Sequence, residues 1–389
     1  MTTLTIKKSV IALGISLALS STAMANSVVL SQTGDDNLAT LTQVGLGNSI
    51  GAAQVGVEND LDSTQAGLGS SLIALQDGYQ NEAVTWQEGD GNSLELTQLG
   101  DGGNFIDYFA QGNDNYSRLH QEGANTIEVE SYGDLNGLFG TQFGEDNLIS
   151  LYTDGYDNGV DATQSGNDNL AQYNIDGADG SYIYSWQSGQ SNEAFVDIFA
   201  RNSGAISTNN SVAIVQDGND NLTDISLRGD GNYVRSEQRG YDNTMTLTQP
   251  AHFGTNVDSL QEGVNNDLSV HIGASSNGLS SHQWGDDNTA EVLFTGRRNY
   301  GESTQYGELN SLNLLVSNQY NSFSMGQYGD NNVISGIGGG AFEIGGDGGS
   351  VSLVQVGSAN LIQGHQLSDA SSMNIVQNGS MNSAIVTQQ

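Results

Sequence analysis

Polar and apolar residues alternate along the chain in segments of about seven residues, which predicts short, half-buried β-strands. In one such segment, Asn37, Ala39, Leu41 and Gln43 would share a strand face, because successive side chains of a strand point to opposite sides. This face is apolar in the middle and carries an amide at each end, and the opposite face takes the charged residues. A helix would place those charges three and four residues apart, so the pattern predicts an all-β protein.

A Gln-x-Gly-x-x-Asn motif separates these segments and recurs at steps of about eleven residues, about thirty-two times when weak copies are included. Its first two copies run from Gln32 to Asn37 and from Gln43 to Asn48. Gly adopts positive φ without strain, and Asn and Asp tolerate it, so each motif predicts a tight turn. A short period that is kept along a whole chain is typical of repeat proteins.

Alternate copies of the motif differ, which doubles the true period to about 22 residues. Every second copy has Gln, with Gly two residues later. These sixteen glutamines are Gln32, Gln54, Gln76, Gln98, Gln121, Gln142, Gln164, Gln187, Gln216, Gln238, Gln261, Gln283, Gln305, Gln327, Gln355 and Gln377. The turn glycines that follow them include Gly34, Gly56, Gly78, Gly144, Gly166, Gly240, Gly285, Gly307, Gly329 and Gly357.

The intervening copies vary at the Gln position. They hold Gln43, Gln65, Gln87, Ala110, Ser131, Thr153, Ile175, Leu227, Phe294, Val316, Gln366 and Gln388. Two weaker copies are placed at Ala205 and Ile344 by counting back from the next clear Gln.

Two strands and two turns for each period predict a β-solenoid of about 16 stacked two-strand coils, with a cross-β, amyloid-like arrangement. The inward amides would be costly if they were unpaired, at about 1–3 kcal/mol each. Stacked coils allow every amide to bond to the same amide above and below it. The sixteen glutamines are therefore predicted to form a structural ladder that fixes the vertical register of the coils.

Residues 1–25 are predicted to be a signal peptide that is removed: Lys7 and Lys8 precede an apolar stretch, and Ala23-Met-Ala25 suits cleavage. Residues 26–389 are predicted to form a single solenoid with loop insertions near 199–210 and 335–349. Both insertions are expected to extend from turns, and tolerated insertions are favoured over binding loops. The first and last strands lie near the two ends of the sequence, so both end coils are expected to be uncapped and to template a filament.

Composition narrows the choice of partners. The chain of 389 residues has 45 acidic and nine basic residues, no Cys and one Pro. Its net charge of −36 argues against nucleic acid, since phosphate binding needs a basic surface. No apolar run after the signal peptide reaches the length of a membrane span.

The residues bear on three other functions. An enzyme is not indicated, because the histidines at 120, 252, 271, 282 and 365 lack metal-site spacing and the Gly-rich stretch at 336–349 has no Lys. No catalytic, cofactor-binding or metal-binding residues are predicted. A calcium-binding solenoid remains an alternative, since turns such as that from Gly218 to Asn221 offer oxygen ligands. A monomeric secreted adhesin or ice-binding solenoid is a further alternative, although the outward positions form no flat Thr ladder.

The Gln-x-Gly-x-x-Asn pattern, with a further Gln six residues after the Asn, resembles the curlin repeat of curli fibre subunits, and the resemblance covers nearly all of residues 28–389. It implies a secreted functional amyloid: an extracellular fibre on the bacterial cell surface that builds biofilm matrix and supports adhesion. The partners it implies are further copies of the chain, a nucleator subunit, a secretion pore and a periplasmic chaperone.

Overall fold

The computed structural model of the protein describes residues 2–7, 25–199, 207–249 and 253–389. The chain divides into two compact units, residues 1–191 and 192–389. All regular elements in the described ranges are β-strands. The strands of the first unit are β1 Thr2–Lys7, β2 Ser27–Thr33, β3 Leu38–Leu46, β4 Ser49–Val57, β5 Asp60–Leu68, β6 Ser71–Tyr79, β7 Glu82–Glu88, β8 Ser93–Asp101, β9 Phe105–Gln111, β10 Tyr116–Tyr132, β11 Gly137–Tyr156, β12 Gly159–Asn167, β13 Leu170–Asp179 and β14 Tyr182–Gln190.

The second unit carries the remaining strands. They are β15 Glu193–Phe199, β16 Ser207–Thr208, β17 Ser211–Asn219, β18 Leu222–Arg228, β19 Tyr233–Tyr241, β20 Thr244–Thr248, β21 Asn256–Val264, β22 Asp267–Ile272, β23 Gly278–Asp286, β24 Thr289–Phe294, β25 Tyr300–Tyr306, β26 Ser311–Val316, β27 Ser322–Tyr328, β28 Val333–Ser335, β29 Phe342–Ile344, β30 Ser350–Val356, β31 Leu361–Gln366, β32 Ser372–Asn378 and β33 Ser383–Gln388.

Within each unit the strands form two parallel ladders, because a strand pairs with the equivalent strand one coil further along the chain. Strands that contain the sixteen ladder glutamines form what we call the Gln sheet, and the strands between them form the variable sheet. In the first unit β2 pairs with β4 and β4 with β6, in a register that places Gln32 beside Gln54 and Gln54 beside Gln76. The long strands β10 and β11 pass through a turn and contribute to both sheets.

The second unit repeats this arrangement. In its Gln sheet β17, β19, β21, β23, β25, β27, β30 and β32 pair in succession, and Gln216 lies beside Gln238 in the same register. The two units together carry about sixteen coils of two strands each. The predicted β-solenoid, with its 22-residue period and two unlike halves, is confirmed.

The core lies between the two sheets and is narrow. Inward residues such as Ala39, Leu41 and Ile50 are no more than 1% exposed. Some large side chains lie opposite small ones. The ring of Tyr108, for example, lies against Ser117, whose hydroxyl donates a 3.2 Å hydrogen bond to the Tyr108 hydroxyl. Burial raises the pKa of Tyr108 to about 12, so its hydroxyl stays neutral and the residue packs as part of the core.

Two details of the predicted repeat are wrong: the placement of one weak copy at Ala205 and the location of the second insertion at a turn. In the variable sheet Ile198 of β15 pairs with Leu227, so Ile198 occupies the Gln position that counting back had assigned to Ala205. Ala205 itself lies outside the described residues. Counting back failed because the extra residues follow β15 instead of preceding it. Ile344 is placed as predicted, beside Val316.

The second insertion does not extend from a turn. Strands β28 and β29 pair with successive parts of the same strand, β26, so residues 336–341 interrupt a strand of the variable sheet. Hydrogen bonds from Gly336 N to Gly340 O and from Gly339 N to Gly336 O close this bulge. The ladder resumes in register beyond it, because a closed bulge leaves the flanking backbone positions unchanged.

Candidate functional site

The sixteen glutamines predicted from the sequence lie inside the coils and bond to one another within each unit. In the first unit the amide nitrogen of each Gln donates to the amide oxygen of the Gln in the following coil, from Gln32 to Gln187, at 2.6–3.1 Å. In the second unit the same chain of bonds runs from Gln216 to Gln377 at 2.8–3.0 Å. Because these side chains are buried, each bond satisfies polar atoms that water does not reach.

From Gln54 onward, the second amide hydrogen of the ladder glutamines ties the two sheets of a coil together. Gln54 Nε2 donates to the backbone oxygen of Leu38, at 2.8 Å, and Gln76 Nε2 donates to that of Asp60, also at 2.8 Å. Leu38 and Asp60 begin the variable strands that precede these glutamines. A ladder Gln therefore holds the coil closed as well as joining it to its neighbour.

The turn glycines are required by the stacking of coils as well as by their positive φ. A Cβ on Gly34 would lie 2.0 Å from the carbonyl oxygen of Gly56, and a Cβ on Gly56 would lie 2.0 Å from that of Gly78. The same close approach recurs at Gly144, Gly166, Gly240, Gly285 and Gly357, at 1.9–2.2 Å. Any side chain there would push two coils apart.

A second ladder, of asparagine, follows each ladder Gln and was missed as a separate feature in the sequence. Asn59 Nδ2 donates to Asn37 Oδ1 at 3.1 Å, and Asn81 Nδ2 donates to Asn59 Oδ1 at 3.0 Å. The backbone N–H of Asn59 also donates to Asn37 Oδ1. The signal was available, since all sixteen positions are Asn: Asn37, Asn59, Asn81, Asn104, Asn125, Asn147, Asn169, Asn192, Asn221, Asn243, Asn266, Asn288, Asn310, Asn332, Asn360 and Asn382.

The two ladders have opposite polarity. A Gln side chain donates to the Gln of the coil that follows it, whereas an Asn side chain donates to the Asn of the coil that precedes it. The other amide hydrogen of the Asn goes to a turn carbonyl of the following coil, as from Asn59 to Gly78. Each coil thus presents a Gln donor and an Asn acceptor on one face, and a Gln acceptor and an Asn donor on the other. The two faces of a coil are different, and each is complementary to the other.

The variable sheet has no continuous amide ladder. Gln43, Gln65 and Gln87 bond in succession at 2.9 Å, and Thr153 donates to Ser131 at 3.1 Å. In many other coils this position is apolar, with side chains such as Leu227, Phe294 and Val316 fully buried, and Gln returns at Gln366 and Gln388. At the apolar positions packing replaces hydrogen bonding.

Carboxylates at the turns also join neighbouring coils. Asp90 Oδ1 accepts the backbone N–H of Leu68 at 2.9 Å, and Asp286 Oδ1 accepts that of Val264 at 3.1 Å. Oxygens of such turns, for example that from Gly218 to Asn221, are the calcium ligands that the sequence offers. In the described part of the chain no group of three or more His, Asp or Glu side chains is arranged to hold a metal ion.

Charged side chains lie on the outer faces, where the alternation places them. Arg118 pairs with Glu95 of the neighbouring coil at 2.8 Å. Glu237 is only 5% exposed and is bonded by both Arg235 and Arg239. A buried carboxylate held by two guanidinium groups is a structural pairing in this position, because its lone pairs are already occupied.

These features define a class of protein: a β-solenoid repeat protein whose coils are joined by buried side-chain amide ladders. A family model described as the curlin associated repeat matches residues 23–56, 34–67 and 70–100. This stretch of the chain carries curlin repeats, and the resemblance stated from its motifs is confirmed there. No curated protein matches the chain. Across the residues that the structure describes, no helix has the length and apolar character needed to cross a membrane.

Proposed function

We propose that this chain is a structural subunit of an extracellular, curli-like functional amyloid fibre, in which the coils of one copy stack on the coils of the next. The observation that carries the proposal is the complementarity of the two coil faces. Within each unit, seven successive Gln–Gln bonds join one face to the other in the same register.

A contact between two different, complementary faces does not close on itself, so it propagates as a filament. An uncovered coil face would offer a second copy the same donors and acceptors that join coils inside the chain. Parallel, in-register strands with stacked Gln and Asn side chains are also the arrangement of cross-β fibres.

Strand β1 covers a backbone edge of β3 with which another strand could pair. It pairs antiparallel with β3, from Thr2 beside Gln43 to Lys7 beside Leu38. This strand lies in the predicted signal peptide, and the rest of that peptide lies outside the described residues. Cleavage as predicted would remove β1 and free the backbone edge of β3 for another strand.

The match to the curlin repeat supports a structural role outside the cell, and the ladders supply a mechanism for it. Biofilm matrix and adhesion are the roles that we propose for the fibre. A nucleator subunit, a secretion pore and a periplasmic chaperone are the partners that we propose for its export and assembly. The ladder residues have no catalytic role in this proposal.

The test is incubation of the purified mature chain, residues 26–389, followed by electron microscopy and fibre diffraction. We expect fibres with a meridional spacing of about 4.7 Å, the distance between stacked strands. Fragments of these fibres should shorten the lag before fresh chain assembles. A chain that stays monomeric for days at near-physiological salt would contradict the proposal and favour a monomeric adhesin.

A further inference from the structure

A trough of about 440 Å³ lies on the outer face of the Gln sheet in the second unit. It lies along a row in which small residues of one coil stand between larger residues of its two neighbours. Gly278 of β23 pairs with Asn256 on one side and with Tyr300 on the other. In the next outward row, Ser280 stands between Asp258 and Glu302.

Tyr300 supplies an aromatic wall. Its ring leans back across Gly278, with ring carbon Cδ1 2.6 Å from the position that a Cβ would take on Gly278. The ring fills the space that the glycine leaves, and 56% of the residue remains exposed. An exposed ring that lies along the sheet offers a flat apolar surface to a ligand in the trough.

The polar groups of the trough lie beside this ring. Asp258 and Glu302 are two strands apart, so their Cα atoms are separated by about 9.6 Å. The hydroxyl of Ser280 lies between them on the floor. Arg235 Nη1 bonds to Asp258 Oδ1 at 3.2 Å, which offsets one of the two negative charges. Asn256 and Ser324 add an amide and a hydroxyl to the lining.

We propose that this trough binds a pyranose unit of a neutral glycan. The apolar C–H face of the sugar ring would lie on Tyr300, and its hydroxyls would donate to Asp258 and Glu302. A volume of about 440 Å³ accommodates up to a disaccharide and falls within the range of small-molecule sites. An anion is disfavoured by the two carboxylates and by the net charge of −36. A cation is the weaker choice, because Arg235 already bonds to Asp258 and leaves Glu302 as the second carboxylate of the lining.

The first unit contains a matched arrangement with a different floor and far wall. The Tyr182 ring lies across Gly159 in the same way, with Cδ2 2.7 Å from the position of a Cβ. In the next row, however, Asp161 stands where the second unit has Ser280, and Tyr184 stands where it has Glu302. These larger side chains replace the floor and the far wall, so this arrangement is a natural control for exposed tyrosine alone.

The experiment is saturation-transfer NMR on the purified mature chain with cellobiose as the probe and tetramethylammonium as the cationic comparison. We expect saturation of the C–H protons of cellobiose. Tyr300→Ala should weaken binding about tenfold, the scale of one lost aromatic contact. Glu302→Gln should also weaken it, and Tyr182→Ala should leave it unchanged.

Ser280→Trp is the second variant and keeps Tyr300 in place. It should abolish binding by filling the floor of the trough. Circular dichroism should show that the Tyr300→Ala and Ser280→Trp variants fold. Equal losses in Tyr300→Ala and Tyr182→Ala would overturn the proposal. Unaltered binding in Ser280→Trp would also overturn it, as would saturation transfer to tetramethylammonium but not to cellobiose. A further contradicting result is the absence of transfer to cellobiose at about 20 mM, a concentration at which even very weak binding is detected. Because fibre formation is measured separately, failure here leaves the assembly proposal standing.

Discussion

The two sheets of each coil solve the same packing problem in different ways. The Gln sheet repeats one amide at one position in every coil and bonds it in both directions along the stack. The variable sheet fills the same position with Gln in some coils and with Ile175, Leu227 or Phe294 in others. The bulge between β28 and β29 also belongs to the variable sheet.

The difference indicates that the Gln sheet alone is sufficient to fix the register of a coil. Hydrogen bonds between identical amides are directional, so a slip of one residue would break all of them and turn charged residues inward. Apolar packing is less directional and tolerates changes of residue and length. The Gln sheet therefore holds the register, and the variable sheet accepts insertions.

The largest effect is expected where the Gln sheet turns. Gly78→Ala places a Cβ 2.0 Å from the carbonyl oxygen of Gly100 at a residue with φ of +134°. We expect a loss of about 3 kcal/mol in the free energy of unfolding, because backbone has to move in two coils. The measurement is denaturant unfolding of freshly purified chain before fibres form.

Gly51→Ala is the control for this substitution. Gly51 lies in the same unit, has no positive φ, and no heavy atom lies within 4 Å of its added Cβ. We expect little change or a slight gain in stability there. An equal loss in the two variants would show that the close approach of stacked glycines is not what fixes the turn.

The next effect concerns the ladder itself. Replacing Gln142 and Gln164 with Leu removes both partners of a 2.9 Å bond and leaves the backbone oxygens of Thr126 and Leu148 without their side-chain donors. Each unpaired buried group costs about 1–3 kcal/mol. We expect the double variant to assemble much more slowly, as followed by amyloid-dye fluorescence and electron microscopy.

The matched control replaces outward carboxylates on the same coils, with Glu128→Ser and Asp161→Ser. These side chains take no part in the ladders, so assembly should be as fast as in the parent chain or faster, because negative charge is removed. The opposite ranking of the two double variants would mean that the inward and outward faces have been exchanged.

Most of the fold could be predicted because its determinants recur. Sixteen repeats of Gln and Gly give the period, and alternation gives the buried face. The residue that takes the Gln position in an irregular repeat could not be predicted, as Ala205 and Ile198 show. Counting back from the next Gln requires an assumption about where the extra residues lie. The opposite polarity of the Gln and Asn ladders also required the structure, since residue identity does not state which amide donates to which neighbour.

A smaller effect should separate the two sheets directly. Gln54 Nε2 bonds to Gln76 and also to the backbone oxygens of Leu38 and Asn59. For Gln65, in the variable sheet, the described amide donation goes to Gln87 alone. We therefore expect Gln54→Leu to cost about 2 kcal/mol and Gln65→Leu about 1 kcal/mol in unfolding free energy. Equal costs would indicate that the bonds across the coil contribute little.

The smallest expected effect is the pH dependence of stability that arises from carboxyl groups on the outer faces. Burial raises the pKa of Asp161 in the Gln sheet above its ordinary value of 3.8. Burial, and to a lesser extent the negative charge of Glu291, raises that of Asp267 in the variable sheet. A carboxyl whose pKa is higher in the folded state stabilises the fold most at pH values below its unfolded pKa, and this contribution is lost as the pH rises through the folded pKa.

It follows that Asp161→Asn and Asp267→Asn should each raise the unfolding midpoint slightly at pH 7, and that the gain should disappear below pH of about 4. Because Glu291 contributes only at Asp267, adding Glu291→Gln should reduce the gain from Asp267→Asn and leave that from Asp161→Asn unchanged. Unfolding midpoints of the single and double variants at several pH values measure this. A gain from Asp267→Asn that is unaffected by Glu291→Gln would show that burial alone acts at both sheets, and that the outer face of the variable sheet adds no carboxylate repulsion of its own.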